Sequence, residues 1–138
     1  NIIGSGSEKD KLKDLINKLN LTGIVNLTPA STNLEKHIDN CDLYLMTSRT
    51  EAAPLVLLEA LAYSKPIVAY DCPIGVREIV SDGENGFLVK DGDIDEYVKK
   101  VKEILHSSET YNQLSLGASA YSQKHSPDSN YLLWSEHI

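Results

Sequence analysis

The chain has 138 residues and a mass of 15.2 kDa, which fits a single domain spanning residues 1–138 on the prior of roughly 100 to 200 residues per domain. Thirteen Lys and Arg against twenty Asp and Glu leave a formal charge of -7 and a pI near 5.0, the wrong sign for holding a polyphosphate chain, so a nucleic-acid partner is disfavoured. With 41% hydrophobic and 24% charged residues the composition is that of a soluble globular domain, and no apolar run approaches the roughly 18 residues of a membrane span.

Asn1-Ile2-Ile3-Gly4 carries no initiator Met, no basic leader and no apolar leader segment, and it reads as the end of a strand running into a glycine turn. The chain is therefore expected to be cut from something longer. Residues Ser5 to Glu8 open a helix whose apolar positions Leu12, Leu15, Ile16 and Leu19 recur at helical spacing, with Lys and Asp on the other face. Ile24 to Thr28 reads as a strand stopped by Pro29, and Asn33 to Asn40 as a second helix. Leu43 to Met46, Ile67 to Tyr70 and Phe87 to Val89 are continuous apolar runs, the pattern of parallel strands covered on both faces. Helices are predicted between and after them, at Pro54 to Tyr63, Gly75 to Val80 and Ile94 to Leu105. A further amphipathic helix carries Tyr111, Leu114, Ala118 and Tyr121. The order βαβαβαβαβα specifies an α/β fold, an open, doubly wound parallel sheet of Rossmann type with extra C-terminal helices. In such folds ligands bind beyond the carboxyl ends of the strands. Tyr131 to Trp134 is apolar for a tail and is expected to be partly exposed or covered by another chain.

The segment from Ser48 to Ala62 carries the chemistry. It leaves an apolar strand, crosses a polar loop and enters a helix with Pro54 in the first turn, where a missing N–H costs nothing. The free N–H groups of Leu55 and Val56 then face the carboxyl edge of the sheet, with the positive end of the helix dipole behind them, and suit an anionic ligand. Glu59 is the only charged side chain between Glu51 and Lys65, in a helix apolar nearly all round, and is expected to be buried. Two readings stand for it. One is internal: capping of a neighbouring N–H, or pairing with Lys65 or Arg77. The other is a ribose diol donating two hydroxyls to the carboxylate. Glu51, before the same helix, reads first as an acid favouring the helix N-terminus, within reach of the hydroxyls of a bound group. Glu78 reads as a cap for its own short helix or a wall of the site. His37, His106, His125 and His137 have no metal-ligand spacing. Cys41 and Cys72 have no C-x-x-C spacing and read as reduced thiols of a cytoplasmic protein.

Glu51 and Glu59, separated by seven residues within Ser48 to Ala60 and followed by Lys65-Pro66-Ile67-Val68-Ala69, resemble the E-x7-E signature of retaining glycosyltransferases of family 4. Three further blocks are similar to that family in the same order: the glycine-rich turn Gly4-Ser5-Gly6-Ser7-Glu8, the strand Cys41 to Leu45, and Gly75 to Val89, which resembles G-x-x-E-I-V-x-D-G-x-N-G-x-L-V. The resemblance covers residues 2–105. It implies the donor-binding half of a two-domain GT-B enzyme that transfers a sugar from a nucleotide diphosphate, without a metal or other cofactor. In that family the site matching Glu59 holds the ribose, the amides matching Leu55 and Val56 meet the diphosphate, and the site matching Glu51 lies beside the donor sugar. Ala52, Ala53 and Pro54 on the loop, Gly4 and Gly6 in the first turn and Pro29 under the base complete the implied donor site. Retention through an oxocarbenium-like transition state, with the departing phosphate helping to deprotonate the acceptor, is the implied chemistry.

The sequence also departs from the family. Ala52-Ala53 stand where Gly and an aromatic residue or Leu are common, and Ser64 where Gly is usual before Lys65-Pro66. Cys72-Pro73-Ile74-Gly75 stands in place of a Gly-Gly pair. The string Asp71 to Glu78 resembles members that build surface polysaccharides from UDP-sugars. The family's basic pair for the diphosphate and its acceptor residues lie outside this chain, so the implied partners are the missing N-terminal domain and, through it, a glycan or lipid-linked acceptor. The chain alone is expected to be inactive, and its parent to work in the cytoplasm at the inner face of the membrane. The competing readings are a flavodoxin-like non-catalytic binding or signalling module, and another GT-B enzyme such as a sugar-nucleotide epimerase or phosphorylase.

Overall fold

The computed structural model describes residues 1–31 and 33–126; the Tyr131 to Trp134 segment and His137 lie outside the described residues. The chain divides into two compact units, residues 1–36 and 37–138. In the first, β1 (Ile2–Ile3) is followed by α1 (Lys9–Lys18) and pairs in parallel with β2 (Leu27–Thr28), Ile2 opposite Leu27. Leu12 and Ile16 on the apolar stripe of α1 are half-buried, as the helical spacing predicts. The helix stops where Asn20 takes a φ of 56°, with the Leu21 N–H closing back onto the Ile16 carbonyl at 2.9 Å. At the carboxyl ends of the two strands the Gly4 N–H donates to the Thr28 carbonyl at 2.9 Å, and the Ala30 N–H to the Ser5 hydroxyl at 3.2 Å. A short helix, α2 (Glu35–Asp39), falls at the junction of the units.

In the second unit, β3 (Tyr44–Met46), α3 (Leu55–Ala62), β4 (Ile67–Tyr70), α4 (Val76–Ile79), β5 (Gly86–Val89), α5 (Ile94–His106) and α6 (Ser108–Lys124) follow in turn. The strands form a parallel sheet in the order β3-β4-β5, with Tyr44 opposite Ile67 and Ile67 opposite Gly86. The central strand explains the apolar runs: alternate residues go to opposite faces, and both faces are covered. Ile67 and Ala69 enter one cluster with Leu57, Ala60 and Leu61 of α3, Val76 and Ile79 of α4, and Ala118 of α6. Val68 enters the other, with Phe87 and Val89 of β5, Tyr97 and Ile104 of α5, and Leu114 of α6. Burial of the Val, Leu, Ile and Phe side chains among these, at roughly 1.5 to 3 kcal/mol each, is the main driving force for the unit.

Local chemistry sets the boundaries. The Asp93 carboxylate accepts the Glu96 N–H at 3.0 Å to start α5, and the Ser107 hydroxyl accepts the Thr110 N–H at 3.1 Å to start α6. The expected helix at Gly75 to Val80 is shorter because Gly75 stands outside it at φ 78° and Val80 is already extended. Ser64, in the position where the family favours Gly, takes a φ of 56° just after α3, and the Lys65 N–H closes on the Ala60 carbonyl at 3.0 Å. That turn is left-handed backbone, which glycine adopts without strain. Across the strands, the Tyr97 hydroxyl from α5 donates to the Val68 carbonyl at 2.7 Å and also lies 3.3 Å from the Met46 carbonyl. Its hydroxyl is pushed well above the ordinary phenol range, chiefly by burial.

Candidate functional site

Parallel pairing puts the carboxyl ends of β3, β4 and β5 on one edge, and the loops leaving that edge are residues 47–54, 71–75 and 90–93. The first carries Glu51, half-buried, with Ala52 and Ala53 exposed and Pro54 buried at the N-cap of α3. Pro54 therefore stands one position before the helix rather than inside its first turn, and its φ of -74° already matches helical backbone. The Leu57 N–H closes on the Pro54 carbonyl at 3.0 Å. Pro54 offers no side-chain acceptor, so the N–H groups of Leu55 and Val56 head the helix uncapped. Glu51 does not cap α3, and Glu78 does not cap α4; the Glu78 backbone carbonyl instead accepts the Tyr121 hydroxyl at 3.0 Å.

The structure corrects one expectation for Glu59: the side chain is exposed, not buried. The inward stripe of α3 is Leu57, Ala60 and Leu61, each 0% exposed, and at about 100° per residue position 59 falls away from that stripe. The apolar neighbours that suggested burial are themselves outside, Leu55 at 66% and Leu58 at 38% exposure. Neither proposed internal cation reaches Glu59. The Lys65 ammonium donates to the Asp39 carbonyl at 2.9 Å, and Arg77 holds Asp71 through two hydrogen bonds. Among the described residues Glu59 forms no ion pair.

Tyr44, which the sequence reading passed over as a strand residue, is half-buried beside the α3 cluster. Its hydroxyl is raised above the usual phenol range, first by burial and then by the negative charges of Glu59 and Glu51. Both acids of the E-x7-E pair thus act on one phenol. The available signal was the alternation along β3, which sends Tyr44 and Met46 to the same face.

The neighbouring loops are tied to Glu51's own. The Cys72 thiol donates to the Ser48 carbonyl at 2.9 Å, and burial pushes that thiol up, with Glu51 the next contributor. Arg49 pairs with Asp91 at 3.6 Å. Arg77 holds the Asp71 carboxyl below its ordinary range by hydrogen bonding. Glu51, Ala52, Ala53, Pro54, Leu55, Val56 and Glu59 are thus carried by one loop and one helix. Gly4, Gly6 and Pro29 belong to the first unit, where the glycine turn meets the chain around Pro29 through the Gly4–Thr28 and Ser5–Ala30 hydrogen bonds. Among the described residues no three His, Cys, Asp or Glu side chains converge as a metal site, and no helix is long and apolar enough to cross a membrane.

Comparisons with known proteins bear on this arrangement. An uncharacterized glycosyltransferase of Haemophilus influenzae is 38% identical over 114 residues, covering 83% of this chain and 32% of the relative. The poly(ribitol-phosphate) alpha-N-acetylglucosaminyltransferase of Staphylococcus aureus is 30% identical over 106 residues, 77% of this chain and 22% of that protein. Among solved structures, Anabaena Alr3699/HepE in complex with UDP superposes with a TM-score of 0.83 at 26% identity, over 98% of this chain and 39% of that one. The chain spans about a third or less of the length of these two relatives. Its architecture, parallel sheets flanked by helices, is the Rossmann-like arrangement of GT-B glycosyltransferases. The family description "Glycosyl transferases group 1" matches residues 1–120, and with the E-x7-E pair on the loop and helix after β3 the chain belongs to the group 1 glycosyl transferases.

Proposed function

We propose that the chain is the donor-binding domain of a retaining glycosyltransferase that takes its sugar from a nucleotide diphosphate, with UDP as the nucleotide, for polysaccharide or cell-envelope glycan synthesis. The observation that carries this reading is Glu59, exposed on an uncapped helix and without an ion-pair partner among the described residues. A solvent-facing carboxylate there is free to accept both hydroxyls of a ribose. About one turn away the N–H groups of Leu55 and Val56 are available to the diphosphate, where the helix dipole favours negative charge. Glu51, Ala52, Ala53 and Pro54 then border the sugar. No step in this reading calls for a metal. The relatives' names and the UDP-bound Anabaena structure support the choice of UDP and of an envelope glycan. The acceptor and the catalytic partner belong to the rest of a longer parent, working in the cytoplasm at the inner membrane face.

The test is a titration of the isotopically labelled chain with UDP and with GDP, followed by amide shifts. Saturable shifts at Leu55, Val56 and Glu59 are expected, stronger for UDP. Hydrogen bonds to a charged acceptor are worth about 1.5 to 3 kcal/mol, so Glu59→Ala should weaken binding at least about tenfold. Unchanged affinity in Glu59→Ala would remove the ribose assignment.

A further inference from the structure

The loop after β4 touches the loop after β3 at two points, and the points flank Glu51. Before the acid, the Cys72 thiol, 2% exposed, donates to the Ser48 carbonyl at 2.9 Å. After it, Gly75 at φ +78° lies so close that a Cβ there would stand 2.6 Å from the Ala52 carbonyl oxygen and 2.9 Å from Pro54 Cδ. The second loop is itself held. Its first residue, Asp71, is gripped by two nitrogens of Arg77, and Val76 and Cys72 enter the same cluster as Met46 and Ala69. A thiol suits this place, since it packs as a small apolar group and still supplies a donor to one carbonyl.

We infer that the Asp71–Arg77 loop positions Glu51, with Cys72 and Gly75 as its two contact points. The inference rests on the reading of Glu51 as the acid beside the donor sugar. A carboxylate on a loop anchored only at its own ends samples many positions. Anchored at Ser48 and Ala52, the intervening three residues have little freedom, and the first-turn amides beyond Pro54 share that restraint. It also accounts for one departure from the family, since Cys72 supplies a bond that a glycine in its place could not.

The test compares the parent chain with Cys72→Ala and Cys72→Ser, and with Cys72→Val, which fills the space without a donor should the alanine variant not fold. Amide exchange is followed at Arg49 to Ala53 and, as the core reference, at Val68 and Ala69. Loss of the donor is expected to speed exchange in the loop about tenfold more than in the core and to weaken UDP binding about fivefold or more. Cys72→Ser should recover both to within about twofold, because it keeps a donor. Equal changes in loop and core, an unchanged loop, or no recovery by serine would overturn the inference. So would a mobile loop that still binds UDP as tightly as the parent. If the parent itself binds no UDP, the proposed function fails, while loop exchange and its recovery by serine still decide the positioning.

Discussion

Gly117 offers a test in which helix propensity and packing predict opposite signs. It lies inside α6, where replacing Gly by Ala ordinarily stabilises by about 1 kcal/mol. Here an added Cβ would stand 2.0 Å from the Glu84 carbonyl oxygen, 2.7 Å from its carbon and 3.4 Å from the Asn85 nitrogen. Every one of these atoms is backbone, so no rotamer relieves the contact. The loop cannot retreat cheaply either. The Asn85 amide, 1% exposed, donates to the Ile79 carbonyl and accepts the Ser81 N–H, each at 2.9 Å. A Cβ at the adjoining Gly86 would lie 2.4 Å from the Ile67 carbonyl oxygen. Overpacking of this kind costs about 1 to 3 kcal/mol, and backbone on both sides places it at or above the upper end. After the propensity gain, Gly117→Ala should lose about 2 kcal/mol. With a urea slope of about 1 to 3 kcal/mol per molar, the unfolding midpoint falls by about 1 M. Leu116→Ala, at a position 72% exposed on the same helix, should stay within about 0.5 kcal/mol of the parent. A midpoint for Gly117→Ala at or above the parent's would refute the packing argument.

Two other substitutions test the bonds at the sheet edge. Asp71 has its carboxyl held low by Arg77, so its stabilising effect is present above the ordinary carboxylate range and lost as pH falls through the lower native value. Urea midpoints of Asp71→Asn and the parent should therefore differ slightly at neutral pH, since Arg77 is exposed and solvent screens the pair, and converge as the pH falls through the lowered native value; a gap that survives acid would count against the ion pair. Tyr97→Phe removes the donor shared by the Val68 and Met46 carbonyls. It should cost about 1 to 2 kcal/mol, read by calorimetry as a fall of several degrees in Tm. An unchanged Tm would show that the hydroxyl contributes nothing.

The parallel strands were legible because β4 is buried on both faces, which leaves Ile67, Val68 and Ala69 no polar alternation. The helices were legible in the spacing of residues such as Tyr97, Val101 and Ile104 on α5. At the site, the loop-to-helix geometry at Pro54 was visible because proline and its neighbours carry local backbone rules. The environment of Glu59 was not, since an apolar sequence does not say which side of a helix will find a neighbour. Leu55 and Leu58 suggested burial and stand in solvent. The roles of Cys72, Gly75, Asn85 and Gly117 were hidden for another reason. Each depends on a backbone segment brought close by the fold, and the Asp82 to Gly86 stretch alone reads as an ordinary turn.

The topology also bears on the order in which this unit assembles. The strand pairs join residues separated by short spans, from Tyr44 to Ile67 and from Ile67 to Gly86. α6 returns to α3 across a much longer interval, its Ser115 hydroxyl bonding the Ser64 carbonyl at a separation of 51 residues. Shorter closures carry the smaller entropic cost and come earlier. The sheet should therefore pair first, with α6 docking on it late. Damage at the α6 contact should shorten the lifetime of the native state while leaving the speed of reaching it nearly untouched.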